Sequence, residues 1–465
     1  MLVALGSLAA APDAGALPPI HHLFVIVLEN ESADTSFGPA SPAPYLARTL
    51  PARGAFIPNY YAIGHASLDD YIAMIGGQGP NPYTQADAPA YVDLLPGGPG
   101  PDGQAMGAGS VYPASVQTIV NQLQAKGLSW RGYMEDMGNS TTEPKTCRHP
   151  ALGAPDTTQT ARAGDQYAAR HNPFVYFHSI IDNQVDCDAR VVPLDLLGAD
   201  LRSAATTPNY AFISPNLCHD GHDSPCIDGQ PGGLASIDQF LAQWVPQITS
   251  SPAFADGALV IVFDEAATSD ATACCGERSA NTPNAGGTTN GPGGGRTAAL
   301  VLSPYTIPGT RTSSKYNHYS LLRTSEDLFG LPHLGYAGAS DLSSLGDDVF
   351  NGPAPSVGPI VPAGPTRRSC PSPPLARRGR LRRGALISRV RVVGAGVRRT
   401  LSFTLAHRAR VTLILRPRRG RAHRVRGRDL AGCRTYRVRL RARRGTRIVM
   451  SASFGRATER RTLRA

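Results

Sequence analysis

The chain has 465 residues, 41% of them hydrophobic, with 49 Gly, 40 Pro and a net charge of +11. That length exceeds one average domain and fits two or three, and the apolar content is enough to bury a sizeable core. No apolar run reaches the ~20 residues of a membrane helix, which excludes a permanent anchor of that kind. The charge is unevenly divided. Up to Thr366 there are 15 Lys and Arg against 33 Asp and Glu; from Arg367 onward there are 31 Arg, no Lys, and only Asp429 and Glu459. An acidic body thus carries a polycationic C-terminal part, and the division marks a domain boundary.

Met1 to Ala16 is a short apolar stretch ending in the small residues Ala14, Gly15 and Ala16. It resembles the apolar region and cleavage zone of a signal peptide without the basic leader, and a disordered tail is the alternative; residues 1–18 are set apart on that basis. The first predicted strand is Leu23–Leu28 (LFVIVL), a continuous apolar run of the kind buried on both faces of a parallel sheet. Similar runs follow at Phe174–Phe177, Tyr210–Ile213, Ala258–Phe263 and Thr297–Leu302, with His178 at the end of the second as a hydrogen-bonded support. Helical patterns fall between them at Leu68–Ile75, Ser115–Lys126, Leu234–Ile248 and His318–Phe329. Strands alternating with helices predict an α/β domain over 19–346 with a mostly parallel sheet flanked by helices. Residues 347–376 are rich in Pro and Gly and read as a linker. Over 377–465 the segments RVRVV, TLSFTL, RVTLIL, TYRVRLR and RIVMSASF alternate at period two, which predicts a small antiparallel β-sandwich.

The eight cysteines are even in number and contain no C-x-x-C pair. Disulfides suit them better than a thiolate metal site, which implies an oxidising compartment and a secreted or cell-envelope location. The pairing stays open.

Metal-binding residue types recur at the ends of predicted strands. Glu29 and Asn30 follow the first, Asp220, His222 and Asp223 follow Tyr210–Ile213 by a short loop, and Asp264 and Glu265 close Ala258–Phe263. The carboxyl ends of strands line the ligand crevice of an open α/β sheet, so these groups are expected to converge. Ser67 lies where a loop turns into a helix within GHASLDDYIAMIGG. A hydroxyl there meets free backbone N–H groups, a natural seat for phosphate. The competing structural role is a helix cap, with Asp70 completing a capping box.

These blocks resemble a known family. LENESADTSFG, HASLDDYIAMIGG, SPNLCHDGHD, VIVFDEA and NHYSLLRTSEDLFGLPHLG are similar, in order over about residues 20–345, to the motifs of the phosphoesterase family that contains bacterial phospholipases C and acid phosphatases, within the alkaline phosphatase superfamily. The resemblance implies Glu29, Asn30, Asp264 and Glu265 as metal ligands and Ser67 as a nucleophile forming a phosphoseryl intermediate. It implies Asp220, His222 and His318 as groups that complete the metal site or assist the leaving group, and Asp70 as a substrate contact. Asp70 departs from the Asn that relatives often carry. Read from the residues themselves, His65, two positions before Ser67, orients substrate or simply packs, and Arg296, closing the glycine run GPGGGR, clamps a phosphate or belongs to a flexible loop.

The expected activity is acid phosphatase-like hydrolysis of a phosphomonoester. A phospholipase C-type phosphodiesterase and a decayed protein that only binds anionic surfaces are the alternatives. The oxygen-rich ligand set suits a divalent Mg, Mn, Ca, Fe or Zn without choosing among them. The arginines suit phosphate and carboxylate partners, so an anionic cell envelope, a phospholipid surface or another polyanion is the expected contact.

Overall fold

The structure, a computed structural model, describes residues 17–279, 281–282, 293–352, 361–362 and, farther on, 386–393, 398–405, 409–416, 423–430, 434–441, 446–454 and 457–464. The signal-like stretch, Cys370 and Cys433 lie outside them. The chain divides into two compact units, with the boundary between Gly352 and Pro353.

The first unit is organised by an eight-stranded mixed sheet of β1 (His22–Leu28), β2 (Ala55–Ile57), β3 (Trp130–Met134), β4 (Val191–Pro193), β5 (Tyr210–Ser214), β6 (Gly257–Phe263), β7 (Ala299–Leu302) and β8 (Thr310–Arg311). The spatial order is β8-β2-β7-β6-β1-β5-β3-β4. The centre is parallel: β1 pairs with β5 on one side and β6 on the other, and β3 pairs in parallel with β4 and β5. Every residue of β1 and β6 is buried, the outcome expected of apolar runs covered on both faces. Phe24, Ile26 and Leu28 share a core with Ile237, Leu241 and Val245 of α2 (Gly233–Ser250). Burying each such side chain stabilises by about 1.5–3 kcal/mol. The sheet turns antiparallel only at β7, which runs against both β6 and β2.

The helices α1 (Ser67–Gly76) and α3 (His318–Phe329) fall where their patterns predict. One predicted strand is corrected. Phe174–Phe177 belongs largely to a 3-10 turn, Pro173–Tyr176, followed by a short helix from His178. Pro173 fixes φ and removes a ladder donor at the start of the run, and all of the turn's residues are nonetheless buried. His178 consequently bonds Asp93 and Asp182 at the surface, at 2.9 and 2.7 Å. The strand place is filled instead by β3, whose mixed sequence WRGYM hides its role.

The second unit holds two four-stranded antiparallel sheets. One orders Val361–Pro362, Arg434–Arg441, Arg398–Leu405 and Ile387–Val393; the other orders His423–Leu430, Ala409–Arg416, Arg447–Phe454 and Ala457–Arg464. Inward residues of both, among them Phe403, Val438, Leu413 and Met450, form a single core, which makes the unit a sandwich as its alternation predicts. His423–Leu430 and Ala457–Arg464 escape the sequence reading because few of their positions are apolar. Among the described residues no helix is long and apolar enough to cross a membrane.

Candidate active site

Because β5, β1 and β6 are adjacent and parallel, the residues that follow them emerge at one edge of the sheet. Glu29 leaves β1 fully buried, and Asn30 takes a left-handed turn (φ 58°) that ends the strand. The Asn30 amide and the Glu265 amide both donate to Asp264 Oδ1, at 3.0 and 2.6 Å. Beyond the effect of burial, the Asp264 charge lies near enough to Glu29 to raise its pKa. Ser67 Oγ donates to Glu29 Oε2 at 2.8 Å, and Tyr71 OH donates to Glu29 Oε1 at 2.7 Å from one turn farther along α1.

The N-cap of α1 is Ala66, with no side-chain cap bond. Ser67 is therefore not the cap, and the capping box is not formed. Asp70 Oδ1 instead accepts from the amides of Ile63 (2.8 Å) and Gly64 (3.2 Å), holding the loop before the helix. That loop passes so close to Asp69 that a Cβ on Gly64 would lie 2.1 Å from Asp69 Oδ1.

On the β5 side, the Cys218–Cys226 disulfide brackets the loop that carries Asp220 and His222. Asp220 Oδ2 is 3.0 Å from His171 Nδ1, and His171 Nε2 faces Glu29 Oε2 at 3.5 Å. The Tyr71 ring stacks on the His171 ring at 5.3 Å. Ligand atoms of Glu29, His171 and Asp220 all lie within 4.8 Å of one another.

Glu29, Asp69, Asp70, Asp220, Asp264 and Glu265 are all buried. Burial pushes each of their pKa values up; the neighbouring charges of Asp264 and Asp220 raise Glu29 further, and those of Asp264 and Asp70 raise Glu265. Burial also holds His171 neutral. Asn30 Oδ1, Asp264 Oδ2, Glu265 Oε2, Asp70 Oδ2 and His171 Nε2 have no hydrogen-bond partner. Buried polar atoms are ordinarily paired. A set of partnerless oxygens beside one imidazole fits a hard or borderline divalent cation.

The other expected site residues are placed as follows. His318 is buried, with Nε2 2.6 Å from the Asp264 carbonyl oxygen and Nδ1 2.9 Å from Tyr60 OH, so both nitrogens hold protein partners. Burial lowers its pKa to about 4, which keeps it neutral while it ties α3 to the end of β6. His222 stands between Asp223, at 2.8 Å from Nδ1, and Arg170, at 3.0 Å from Nε2. Since a guanidinium can only donate, Nε2 is the acceptor and holds no proton in this arrangement. His65 Nε2 is 3.1 Å from the Asp270 carbonyl oxygen, and its Nδ1 is buried without a partner. Arg296 directs its guanidinium to Asp34 (2.7 Å) and the Pro58 carbonyl (3.2 Å), and among the described residues no hydrogen bond joins that guanidinium to the carboxylate cluster.

A model of the Phosphoesterase family matches residues 43–332. The chain belongs to that family. It is 27% identical over 315 residues to a probable acid phosphatase of Kluyveromyces lactis, covering 67% of this chain and 59% of that one. It is 26% identical over 328 residues to a phosphate-repressible acid phosphatase of Penicillium chrysogenum, covering 69% and 62%. The chain therefore spans less than two thirds of either fungal relative. A phosphatidylinositol-3-phosphatase of Mycobacterium tuberculosis is 24% identical over 327 residues, covering 70% of this chain and 82% of its own. A crystal structure from Vibrio parahaemolyticus, of a protein in the alkaline phosphatase superfamily, aligns at a TM-score of 0.43 and 11% identity, covering 97% of this chain and 83% of that one.

Tyr71, Arg170 and His171 join the candidate site without a sequence motif that marks them. Tyr71 sits four positions after Ser67, one helical turn away, and that spacing was a usable signal. Arg170 and His171 sit in RHNPF, at the start of the 3-10 turn Pro173–Tyr176.

Proposed function

We propose that this phosphoesterase is a divalent-metal-dependent phosphoric ester hydrolase that cleaves phosphomonoesters, with Ser67 as nucleophile. The observation that carries the reading is the Ser67 hydroxyl, buried at the start of a helix and bonded to Glu29 beside Asn30, Asp264 and Glu265. The names of the relatives, acid phosphatases and a phosphatidylinositol-3-phosphatase, support monoesters as the substrate class.

Glu29, Asn30, Asp264 and Glu265 would hold the cation, with Asp220 and His171 beside them. When bound, such a cation neutralises charge on the phosphoryl oxygens and lowers the pKa of a nearby hydroxyl. The chain's own groups do the rest. Glu29 accepts the Ser67 hydrogen bond and so orients the oxygen for in-line attack on phosphorus. In the first turn of α1, Asp87 Oδ1 accepts from the Leu68 amide at 2.9 Å and the Ala66 carbonyl accepts from the Asp69 amide at 3.2 Å, so these two amides are already engaged. Ser67 Oγ forms a bond to phosphorus as the ester P–O bond breaks and the serine proton passes to the departing alcohol; water then cleaves the phosphoseryl bond, restores the serine hydroxyl and releases phosphate. Tyr71, donating to Oε1, holds the Glu29 carboxylate against rotation. Export to an oxidising compartment is supported by the disulfides Cys147–Cys187, Cys218–Cys226 and Cys274–Cys275.

The test is hydrolysis of p-nitrophenyl phosphate and of p-nitrophenyl phosphorylcholine by chelated protein, with each divalent metal restored singly. Monoester turnover that returns with a metal is the expected result. Predominant diester cleavage would reassign the substrate class, and turnover of neither under any metal would leave a binding protein.

A further inference from the structure

We propose that the outer face of one C-terminal sheet, the sheet of Ala409–Arg416, Arg447–Phe454 and Ala457–Arg464, is a binding site for a linear phosphate polymer, centred on Arg416, Arg447 and Arg464. The antiparallel register places Arg416 directly opposite Arg447, and Arg447 directly opposite Arg464. The neighbouring positions Leu415, Ile448 and Leu463 pack into the sandwich core, so period-two alternation puts the arginines on the outside. All of them are exposed. Three adjacent strands span about 10 Å, and three like charges stand in one row across them.

Like charges directly opposite each other on a sheet oppose folding, and among the described residues no acidic residue stands in register with this row. Beyond Thr366 the only acids are Asp429 and Glu459. Glu459 is buried, where it accepts from the amides of Leu386 and Ile387, at 2.8 and 3.1 Å, and pairs with Arg461. Asp429 stands in register with Arg410, at the other end of the strand from Arg416. The row keeps a destabilising charge that an anion would offset.

The chemistry of the row selects the anion. Each guanidinium presents a planar fork of donors. A carboxylate and an inner phosphate of a polymer each offer two unbridged oxygens, but the polymer repeats them along its length and so can meet the whole row. The same face continues with Thr412, Ser451 and Arg460, in register four positions along the strand, or about 14 Å. Hydroxyl donors and a further arginine at that distance suit a ligand with repeated phosphates rather than a single ion. Between the two rows lie Ile414 and Val449, neither of them exposed, so the face offers no apolar wedge to insert into a bilayer.

The full chain and its Arg416→Gln/Arg447→Gln/Arg464→Gln variant would be titrated with long-chain inorganic polyphosphate over a range of salt, and in parallel with equimolar phosphatidylglycerol–phosphatidylcholine vesicles. The wild type is expected to bind polyphosphate and melt at a higher temperature when bound. The variant, relieved of repulsion, should melt no lower than the wild type when free, gain no stability from polyphosphate, and show a log–log salt slope smaller by about 2, at roughly 0.7 per phosphate contact. Both proteins keep the same active site, so the difference between them reads the row alone. Equal polyphosphate affinity in the variant, binding to the vesicles only, or a variant that loses its fold would each overturn the proposal.

Discussion

Ser67 and Glu29, 38 positions apart in the chain, are joined by a 2.8 Å hydrogen bond in which the serine hydroxyl donates to the carboxylate. The bond links the start of α1 to the end of the central strand. It places the one hydroxyl with a proposed covalent role against a fully buried carboxylate of the acidic cluster.

Ser67→Ala is therefore expected to lower kcat/KM on a phosphomonoester by about 10³-fold or more, as removal of other covalent nucleophiles does. The fold should survive, since losing one hydrogen bond of this kind costs about 1 kcal/mol. Paired steady-state kinetics and thermal melts check this. A variant that keeps a tenth of the activity would remove Ser67 from the mechanism.

Chelated protein should lose stability as pH rises. Burial, reinforced in Glu29 and Glu265 by neighbouring carboxylates, raises the folded-state pKa values of Glu29, Asp220 and Glu265. The folded chain thus holds protons that the unfolded chain releases. Their stabilisation is complete below the ordinary carboxylate range and is lost as pH climbs through the raised values. Melting temperatures measured with a chelator should be higher at mildly acidic than at mildly alkaline pH. Restoring a divalent metal should help most at the alkaline end. A flat profile in the chelated protein would contradict the cluster.

His171 contacts both Glu29 and Asp220. His171→Ala should weaken divalent-metal affinity by about 10- to 100-fold, the usual effect of removing a group that ligates or orients ligands. Isothermal titration with the preferred metal reads this without any substrate. Unchanged affinity would make His171 a packing residue only.

A separate pH effect is expected from α3. Burial pushes the Glu326 carboxyl up to about 9; Oε1 accepts from the Leu334 amide at 2.9 Å while Oε2 has no partner. Its contribution is full below about 4.5 and is lost as pH rises toward about 9. Glu326→Gln keeps the acceptor and cannot ionise, so its stability curve should fall less than the wild type's over that interval. Parallel curves would show that Glu326 does not titrate there.

The parts of this site legible in the sequence are those where one physical pattern dominates. The runs LFVIVL and ALVIVF are buried on both faces, so apolar continuity alone locates β1 and β6, and the residues just after them form the cluster. Phe174–Phe177 has the same apolar character, yet Pro173 turns it into a 3-10 segment, which a hydropathy pattern does not register. β3 is the reverse case: Arg131 and Gly132 break its pattern although it lies inside the sheet. His171 and Arg170 come to the site from the long connection between β3 and β4, and no local rule fixes where such a segment folds back. Arg296 shows the converse limit, a residue chosen for its charge that the fold commits to Asp34.

The disulfide between Cys218 and Cys226, eight positions apart, closes a short ring containing Asp220 and His222. The β-sheet core does not depend on that ring, but the position of Asp220 against His171 does. Maturation would then have separable steps, a fold that forms from apolar burial and a ligand loop that is locked only by oxidation. Mild reductant should lower metal affinity at concentrations that leave the far-ultraviolet circular dichroism spectrum unchanged.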